Sequence, residues 1–521
     1  MRSRPLGILI FLSVIAPAFA FADDSPTTPA FWLSRAQTDA GSLTSPAEQA
    51  GVLTTIATQW LSLGQADAAA SAADQADAAA RRIADPAARY HALLGLAGYY
   101  DRAGITDKRD ADLIAAGDAV NSITPADAQT AAQTELNHTR AVAAGLAEAR
   151  KEIDAQTDPA ARTQGYISLA LTFAQGGHRD LYHQCMDLAV ASLAQISDPK
   201  QAAMLQSAIA QTEANAGDLD AAGQSASVIA QPIAQGEAYA TLAAAYTQAG
   251  QNDAALDAIG HMVNAAGGSP VEARTEMWFR IARAREALGD TAGAKKAVDS
   301  AVRFAEQLQP ADQADAYAVA SRLRVELGDS AGAGDLIDQA IESSHAITDP
   351  AELPEVYMAI AVAQARDGKG TEARRMVEQA QDAAAKLTSD QRHPEGDPAP
   401  GTYMAVVQAA LANGDFQTAQ IIAGGLSDRD LKSQALMAIA SADVDRNEYQ
   451  AAEDAAAQEG SAQAQAAVCG MIAANLARTR SPADAEAWTE KLPTPADKIA
   501  ARLSVAQVVT PPPAPADAAK N

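Results

Sequence analysis

The chain has 521 residues, more than one simple core needs, and it carries 65 acidic against 39 basic residues. Aromatic residues make up 4% and alanine is abundant, so few side chains suit stacking on bases or sugars. The negative charge argues against nucleic acids and anionic membrane surfaces as partners. It fits two explanations, solubility of an alanine-rich chain and a preference for basic partners, and the sequence leaves both open.

Residues 1–22 have the features of a secretory signal peptide. Arg2 and Arg4 precede an apolar run at residues 6–16, and small residues follow at alternate positions. We expect cleavage before Asp23, with cleavage after Ala20 as the alternative. Cleavage before Asp23 leaves 37 basic and 65 acidic residues, a net charge of −28.

A membrane anchor is the competing interpretation of this segment. The apolar run is shorter than the roughly 20 residues of a membrane span, and Pro17 interrupts it. The sequence therefore predicts an exported bacterial protein, periplasmic or secreted, with no stable membrane insertion after cleavage.

From Pro46 onwards the chain repeats a unit of about 40 residues, and residues 310–349 show it clearly. Pro310 suits the first position of a helix, and apolar or small residues then recur at helical spacing. Gly328 can adopt the left-handed conformation that ends a helix, and Asp329 can cap the next one. Each unit is predicted to be a helical hairpin, which must stack on neighbouring hairpins to bury its apolar face.

The hairpins are marked by a proline at the start and a glycine at the turn. The proposed starts are Pro46, Pro86, Pro125, Pro159, Pro199, Pro232, Pro270, Pro310, Pro350 and Pro398. The proposed turn glycines are Gly64, Gly104, Gly177, Gly217, Gly250, Gly289, Gly328, Gly368 and Gly414, with a further turn near Asn447. The unit from Pro125 lacks a clean turn. We expect an all-α fold in which about eleven or twelve hairpins stack into a right-handed superhelix.

The chain divides into six predicted segments. These are the signal peptide (1–22), an N-terminal cap segment with a short helix at Ala30–Gln37 (23–45), the main array (46–385), an exposed loop (386–401), the C-terminal repeats with a capping helix (402–508), and a disordered Pro/Ala tail (509–521). The capping helix carries Asp497, Lys498 and Arg502, which predicts a solvent-facing side. Cys185 and Cys469 lie many units apart, so we expect no disulfide between them.

The hairpins resemble tetratricopeptide repeats over roughly residues 46–494. Tyr239, Leu242, Ala243 and Tyr246 occupy positions where the first helix of that motif carries its characteristic residues, and Ala255 matches the small residue of the second helix. The small position recurs as Ala69, Ala222, Ala294, Ala333, Ala373, Ala419 and Ala452, and the aromatic position as Tyr166, Trp278, Tyr317, Tyr357 and Tyr403.

The period departs from that family, because it is mostly 39–40 residues here rather than 34. The resemblance implies a tetratricopeptide-like α-solenoid whose first helices line a concave face. It also implies a binding scaffold with no activity of its own.

Arginines provide the candidate partner-binding residues. Arg283 and Arg322 occupy the same register in adjacent units, and Arg280 lies one turn before Arg283. The resemblance implies that this register faces the groove, where guanidinium groups could bind carboxylates of a peptide in bidentate fashion. Ion pairing with Glu276, Glu286 or Glu326 is the competing interpretation. Arg285 and Arg324 share a second common register.

Two other patterns are weaker. Gly328–Gly332 fits the G-x-S-x-G motif of hydrolases around Ser330, but repetition of the hairpin turn explains the match. His178, His183 and Cys185 lie close in sequence, but their spacing does not place all three on one helical face. We therefore predict no catalytic residues, no cofactor and no metal site.

The sequence predicts a non-enzymatic scaffold that binds a protein or peptide partner. One alternative is a self-assembling structural protein, which should have apolar, uncapped terminal units. The other is a helical accessory subunit of a cell-envelope enzyme complex.

Overall fold

The computed structural model describes residues 25–143, 146–175, 178–388, 391, 398–426 and 428–510. Throughout these ranges the regular secondary structure is helical and no β-strand occurs. No helix in them is both long and apolar enough to cross a membrane. The predicted signal peptide, Gly177, half of the predicted loop and nearly all of the predicted tail lie outside the described residues.

Twenty-six helices follow one another in the described part of the chain. Their bounds are α1 Pro29–Ala40, α2 Pro46–Ser62, α3 Ala66–Ala80, α4 Pro86–Arg102, α5 Thr106–Val120, α6 Ala126–Ala143, α7 Leu146–Asp154, α8 Pro159–Gln175, α9 Arg179–Leu193, α10 Pro199–Asn215, α11 Leu219–Ser227, α12 Pro232–Gln248, α13 Asn252–Gly267, α14 Val271–Ala287, α15 Thr291–Ala305, α16 Pro310–Glu326, α17 Ser330–Ser344, α18 Leu353–Arg366, α19 Gly370–Ala385, α20 Pro400–Ala412, α21 Phe416–Gly425, α22 Arg429–Asp445, α23 Tyr449–Glu459, α24 Ala462–Thr479, α25 Pro482–Thr489 and α26 Pro495–Val509.

The helices pack as hairpins that stack on one another. α14 packs against α15 within its hairpin and against α16, the first helix of the next hairpin. The same pattern continues as α16 packs on α17 and α18, and as α18 packs on α19 and α20. This arrangement confirms the predicted all-α helical-repeat solenoid. It also places the first helices of successive hairpins side by side.

A residue with a left-handed backbone conformation joins the two helices of a hairpin. Gly328 has φ 72° between α16 and α17. Its N–H donates to the Val325 carbonyl at 3.0 Å, and the Asp329 N–H donates to the Arg324 carbonyl at 2.8 Å, the two bonds of a Schellman motif. The predicted turn residues Gly64, Gly104, Gly217, Gly250, Gly289, Gly368, Gly414 and Asn447 also have positive φ.

Caps follow these turns and begin the next helix. The Asp329 carboxylate accepts the Gly332 N–H at 3.1 Å, as predicted. At the start of α10, Asp198 accepts the Lys200 N–H at 3.0 Å, and Pro199 is the first residue of that helix.

Four predicted helix starts were misplaced. The helix expected to begin at Pro125 begins at Ala126. Pro270 is the N-cap of α14 rather than its first residue. The helices expected to begin at Pro350 and Pro398 begin at Leu353 and Pro400. In both of these helices a second proline, Pro354 or Pro400, occupies the first turn. A proline later in the first turn is tolerated equally well, because N–H groups in the first turn have no hydrogen-bond acceptor within the helix.

Alanine allows the helices to pack closely. Every residue predicted for the small position of the second helix is buried, with at most 1% of its surface exposed: Ala69, Ala222, Ala294, Ala333, Ala373, Ala419 and Ala452. Larger side chains such as Tyr239, Leu242 and Tyr317 fill the space beside them. The core is therefore continuous from hairpin to hairpin, and one cluster of buried residues extends from Ala203 in α10 to Ile360 in α18.

The chain forms two compact units. Unit 2 runs from Tyr100 to Ser461, and unit 1 combines the chain up to Tyr99 with the chain from Ala462 onwards. In unit 1, α26 packs against both α24 and α1. The predicted short N-terminal helix is thus present as α1, and it contacts the last helix of the chain.

The prediction that the charged residues of α26 face solvent is wrong for two of the three. Asp497 and Arg502 are 7% and 4% exposed. Arg502 is buried because α1 covers it and provides partners, the Asp39 carboxylate and the Arg35 carbonyl. The sequence pattern of one helix could not show that the far end of the chain would lie on it.

Candidate partner-binding groove

The candidate site lies in unit 2, where the first helices α14, α16, α18 and α20 stand in sequence. Arg283 on α14 and Arg322 on α16 each lie six residues before the turn glycine of their hairpin, Gly289 and Gly328. Because every turn ends the first helix in the same way, equal distance from the turn gives equal position on the helix surface. The two arginines therefore occupy equivalent positions on helices that touch.

Two adjoining cavities open along these helices. The first has a volume of about 560 Å³, and its lining includes Arg280 and Arg283. The second has a volume of about 600 Å³, and its lining includes Arg322. Both are lined by Asp312 and Asp315 of α16. We refer to the two cavities, with their lining residues on α14, α16, α18 and α20, as the first-helix groove.

The three predicted arginines differ in their partners. Arg280 pairs with Glu276 of its own helix, with Nη2 at 2.7 Å from Oε1. Among the described residues, neither Arg283 nor Arg322 forms an ion pair or a hydrogen bond. The competing interpretation therefore applies to Arg280 and not to the other two.

The other arginine register is structural. Arg285 pairs with Asp290 at 2.6 Å, the N-cap of α15. Arg324 binds Asp329, the N-cap of α17, and also Asp299. These guanidinium groups hold the hairpin turns and are not available to a ligand.

Acidic residues form a second row in the groove, which the sequence reasoning missed. Glu276, Asp315 and Glu355 each lie thirteen residues before their turn glycine, and Glu237 occupies this register in the preceding hairpin. Glu276 lines the first cavity, Glu355 the second, and Asp315 both. Counting back from the glycines would have revealed this row. With Glu272, Asp312 and Glu352 also in the lining, the groove carries more carboxylates than guanidinium groups.

The charges in the groove differ in their surroundings, since Arg322 is half-buried and Arg283 is exposed. Burial lowers the pKa of Arg322, and the like charge of Arg283 acts in the same direction, against the attraction of Asp315. Asp315 is exposed in the groove, but the surrounding protein still raises its pKa, an effect that Arg322 opposes. Outside the lining of the groove but near Arg283, burial, and then the nearby charge of Glu326, raises the pKa of Glu286. An added opposite charge stabilises the ionised form of a desolvated group more than that of a fully solvated group, because the surrounding dielectric is lower.

A third cavity of about 530 Å³ lies between α19, α20 and α21. Arg374, Arg375 and Tyr403 line it together with Ile421, whose side chain is exposed. The sequence reasoning did not single out this site. Its arginines lie on a second helix, α19, and not in the register of Arg283 and Arg322.

The remaining sequence candidates do not assemble into a site. His178 lies 3.7 Å from Asp101 and His183 lies 3.6 Å from Asp218, whereas Cys185 is fully buried and its burial raises the thiol pKa to about 11. Within the described ranges, no group of three or more His, Cys, Asp or Glu residues is arranged to hold a metal ion.

The hydrolase-like motif falls in a helical turn. Ser330 is the first residue of α17, and the helix α16 precedes the Gly328 turn. A nucleophile elbow requires a strand before the turn, so this part of the structure lacks the context that the motif needs.

Comparison with known proteins identifies no family. No family model and no curated protein sequence matches the chain. Among solved structures, it is similar to Ton1535 from Thermococcus onnurineus NA1 (18% identity, 65% of this chain and 98% of that chain, TM-score 0.24) and BtubC (BKLC) from P. vanneervenii (17%, 44% and 94%, 0.27).

A third similar structure is described as a circular tandem repeat protein with novel repeat topology and enhanced subunit contact surfaces. Its identity is 11%, the coverage is 93% of this chain and 97% of that chain, and the TM-score is 0.13. At such scores the description of the fold rests on the helix packing within this chain.

Proposed function

We propose that this protein is a non-enzymatic, tetratricopeptide-like scaffold that binds a protein or peptide partner in the first-helix groove. One observation carries the proposal. Arg283 and Arg322 occupy equivalent positions on adjacent helices and line the groove, and the described residues provide neither with a hydrogen-bond or ion-pair partner.

An unpaired guanidinium beside a like charge favours an anionic ligand. Arg322 is half-buried and the charge of Arg283 destabilises its charged form. A carboxylate bound between them would relieve this repulsion and form charge-assisted, often bidentate hydrogen bonds. An acidic side chain or a chain-terminal carboxylate of the partner would supply such a group.

The acidic row adds a second requirement on the charges that the partner carries. Glu276, Asp315 and Glu355 lie two helical turns from the arginine register, seven residues earlier in each helix. A partner with only acidic groups would be repelled there, whereas one that also carries lysine or arginine would pair with both rows. We therefore propose a partner segment with charges of both signs, recognised by electrostatic complementarity.

We further propose that the protein acts in the bacterial periplasm or outside the cell. The support is the signal-peptide pattern at residues 1–22. Sequencing the N-terminus of the protein recovered from a periplasmic fraction would test this, with Asp23 as the expected first residue. Recovery from the cytoplasm with an intact N-terminus would refute it.

The binding proposal is tested by comparing three forms of the immobilised protein on an envelope extract. The test variant is Arg283→Glu with Arg322→Glu. The matched control is Lys296→Glu with Arg303→Glu, which makes the same charge change at exposed positions on α15. We expect a stoichiometric partner that the wild type and the control retain at low salt and that the test variant does not.

A second substitution separates charge from geometry. Arg283→Lys with Arg322→Lys keeps both charges but removes the planar fork of the guanidinium group, so we expect weakened capture rather than loss. Equal capture by all variants would refute the groove as the binding site. Retention of only the protein itself would favour the self-assembling alternative, and copurification of an intact enzyme complex would favour the accessory-subunit alternative.

A further inference from the structure

The first and the last of the described helices meet within unit 1. α1 packs more extensively on α26, the last helix, than on α2, its neighbour in sequence. α1 buries Phe31, Trp32 and Leu33, and α26 buries Ile499 and Val505. Five residues, 41–45, connect α1 to α2.

A charged network crosses this contact. Arg502 of α26 donates to the Asp39 carboxylate of α1 and, through Nη1 at 3.3 Å, to the Arg35 carbonyl. Arg502 Nη2 also lies 2.6 Å from Glu490 Oε1. Arg35 Nη1 lies 2.5 Å from Glu486 Oε1 and 3.1 Å from Glu490 Oε1. Each end contributes charges of both signs, so the two surfaces are complementary.

The terminal hairpins of a repeat array usually need a polar outer face for solubility. Here, each end covers the apolar face of the other. The two surfaces that meet are different, so the contact is of the head-to-tail kind. Such a contact forms within one chain or between the opposite ends of two chains, and the same groups are satisfied in both cases.

We propose that the α1–α26 contact is exchangeable and that its second partner is another copy of this chain. α1 of one copy then lies on α26 of the next, and both arrangements use the same Arg502–Asp39 pair. The contact within one chain dominates at low concentration, and head-to-tail oligomers increase as the concentration rises. This inference is independent of the first-helix groove.

Cross-linking between two single-cysteine variants tests the exchange. Arg35→Cys and Glu490→Cys replace side chains that are 45% and 47% exposed, and the native cysteines are buried. When the two purified variants are mixed, their exchanged contact retains the Arg502–Asp39 pair. With a short bis-maleimide and different isotopic labels, we expect dimers linked from position 35 of one chain to position 490 of the other, with a yield that rises with concentration.

Two controls complete the experiment. Asp257→Cys mixed with Glu490→Cys measures random collision, since Asp257 is highly exposed and outside the network. The double variant R35C/E490C measures the contact within one chain. The proposal is overturned if the mixed pair gives no more dimer than the collision control, or if the double variant fails to cross-link at all.

Charge reversal gives a second, non-covalent test. D39R and R502E each place like charges at the contact within their own chain, whereas a mixture of the two matches opposite charges between chains. We expect light scattering to show heterodimers only in the mixture. If the mixture scatters as the sum of the separate variants while both remain folded by circular dichroism, exchange does not occur.

Discussion

Replacing glycine by alanine at two positions should have opposite effects on stability. Gly328 has φ 72°, a conformation that costs a residue with a Cβ about 1–2 kcal/mol. Gly260 lies within α13, where alanine is favoured over glycine by about 0.5–1 kcal/mol. At both positions a new Cβ would have no atom within 4 Å. New packing contacts therefore contribute nothing, and the backbone conformation alone determines whether each substitution raises or lowers the free energy of unfolding.

We expect Gly328→Ala to lower the free energy of unfolding by about 1 kcal/mol or more. We expect Gly260→Ala to raise it by about 0.5–1 kcal/mol. Urea titrations followed by far-UV circular dichroism would measure both. Because repeat arrays can unfold in parts, hydrogen exchange of the α16 and α17 amides would localise the effect of the first substitution.

The pair of substitutions also provides its own control. A general effect of added methyl groups would move both midpoints in the same direction. If Gly328→Ala unfolds at the same urea concentration as the parent while Gly260→Ala shifts upward, the left-handed turn does not limit stability and the account of the hairpin turns fails.

Two further predictions concern buried charge. Glu213→Gln should raise the free energy of unfolding at pH 7, because Glu213 is 7% exposed and glutamine has nearly the same shape without a charge that must be desolvated. Burial raises the pKa of Glu213 in the folded state above its unfolded value of about 4.3. The ionised carboxylate therefore opposes folding above that pH, and the stability advantage of the glutamine variant should shrink near pH 4. An equal advantage at pH 7 and pH 4 would contradict this explanation. Arg324→Ala should lower the free energy of unfolding by about 1–3 kcal/mol in the same urea assay, since Arg324 binds Asp299 and Asp329. It should leave partner capture unchanged. Loss of capture by this folded variant would contradict the assignment of a structural role to Arg324 and a binding role to Arg322.

The features that the sequence predicted well are encoded locally. The turn at Gly328 and the cap at Asp329 depend on residues within a few positions of each other. The buried alanines, such as Ala333, recur once in each hairpin, so repetition strengthens a signal that would be weak in a single unit. Where two prolines compete, as at Pro350 and Pro354, the local signal is ambiguous and the predicted helix start was wrong.

The features that the sequence missed depend on distant residues. Arg502 looked exposed because the apolar residues of its own helix suggested a single buried face. Its partner Asp39 lies 463 residues away, and no periodicity connects the two. The identity of the unpaired arginines was also hidden, because Arg283 and Arg285 are two positions apart and only the structure shows which of them binds a helix cap.

The repeat nevertheless constrains what the first-helix groove can recognise. The acidic and arginine registers are seven residues apart, which is about 10 Å along a helix, and packed helices lie about 8–10 Å apart. Charges in the groove therefore fall on a grid of roughly 10 Å in both directions. A segment in the polyproline II conformation advances about 3.1 Å per residue with three residues per turn, so every third side chain faces the groove and meets the next helix. A partner with acidic or basic side chains at every third position can pair with one row of this grid without bending, and this spacing follows from the hairpin repeat itself.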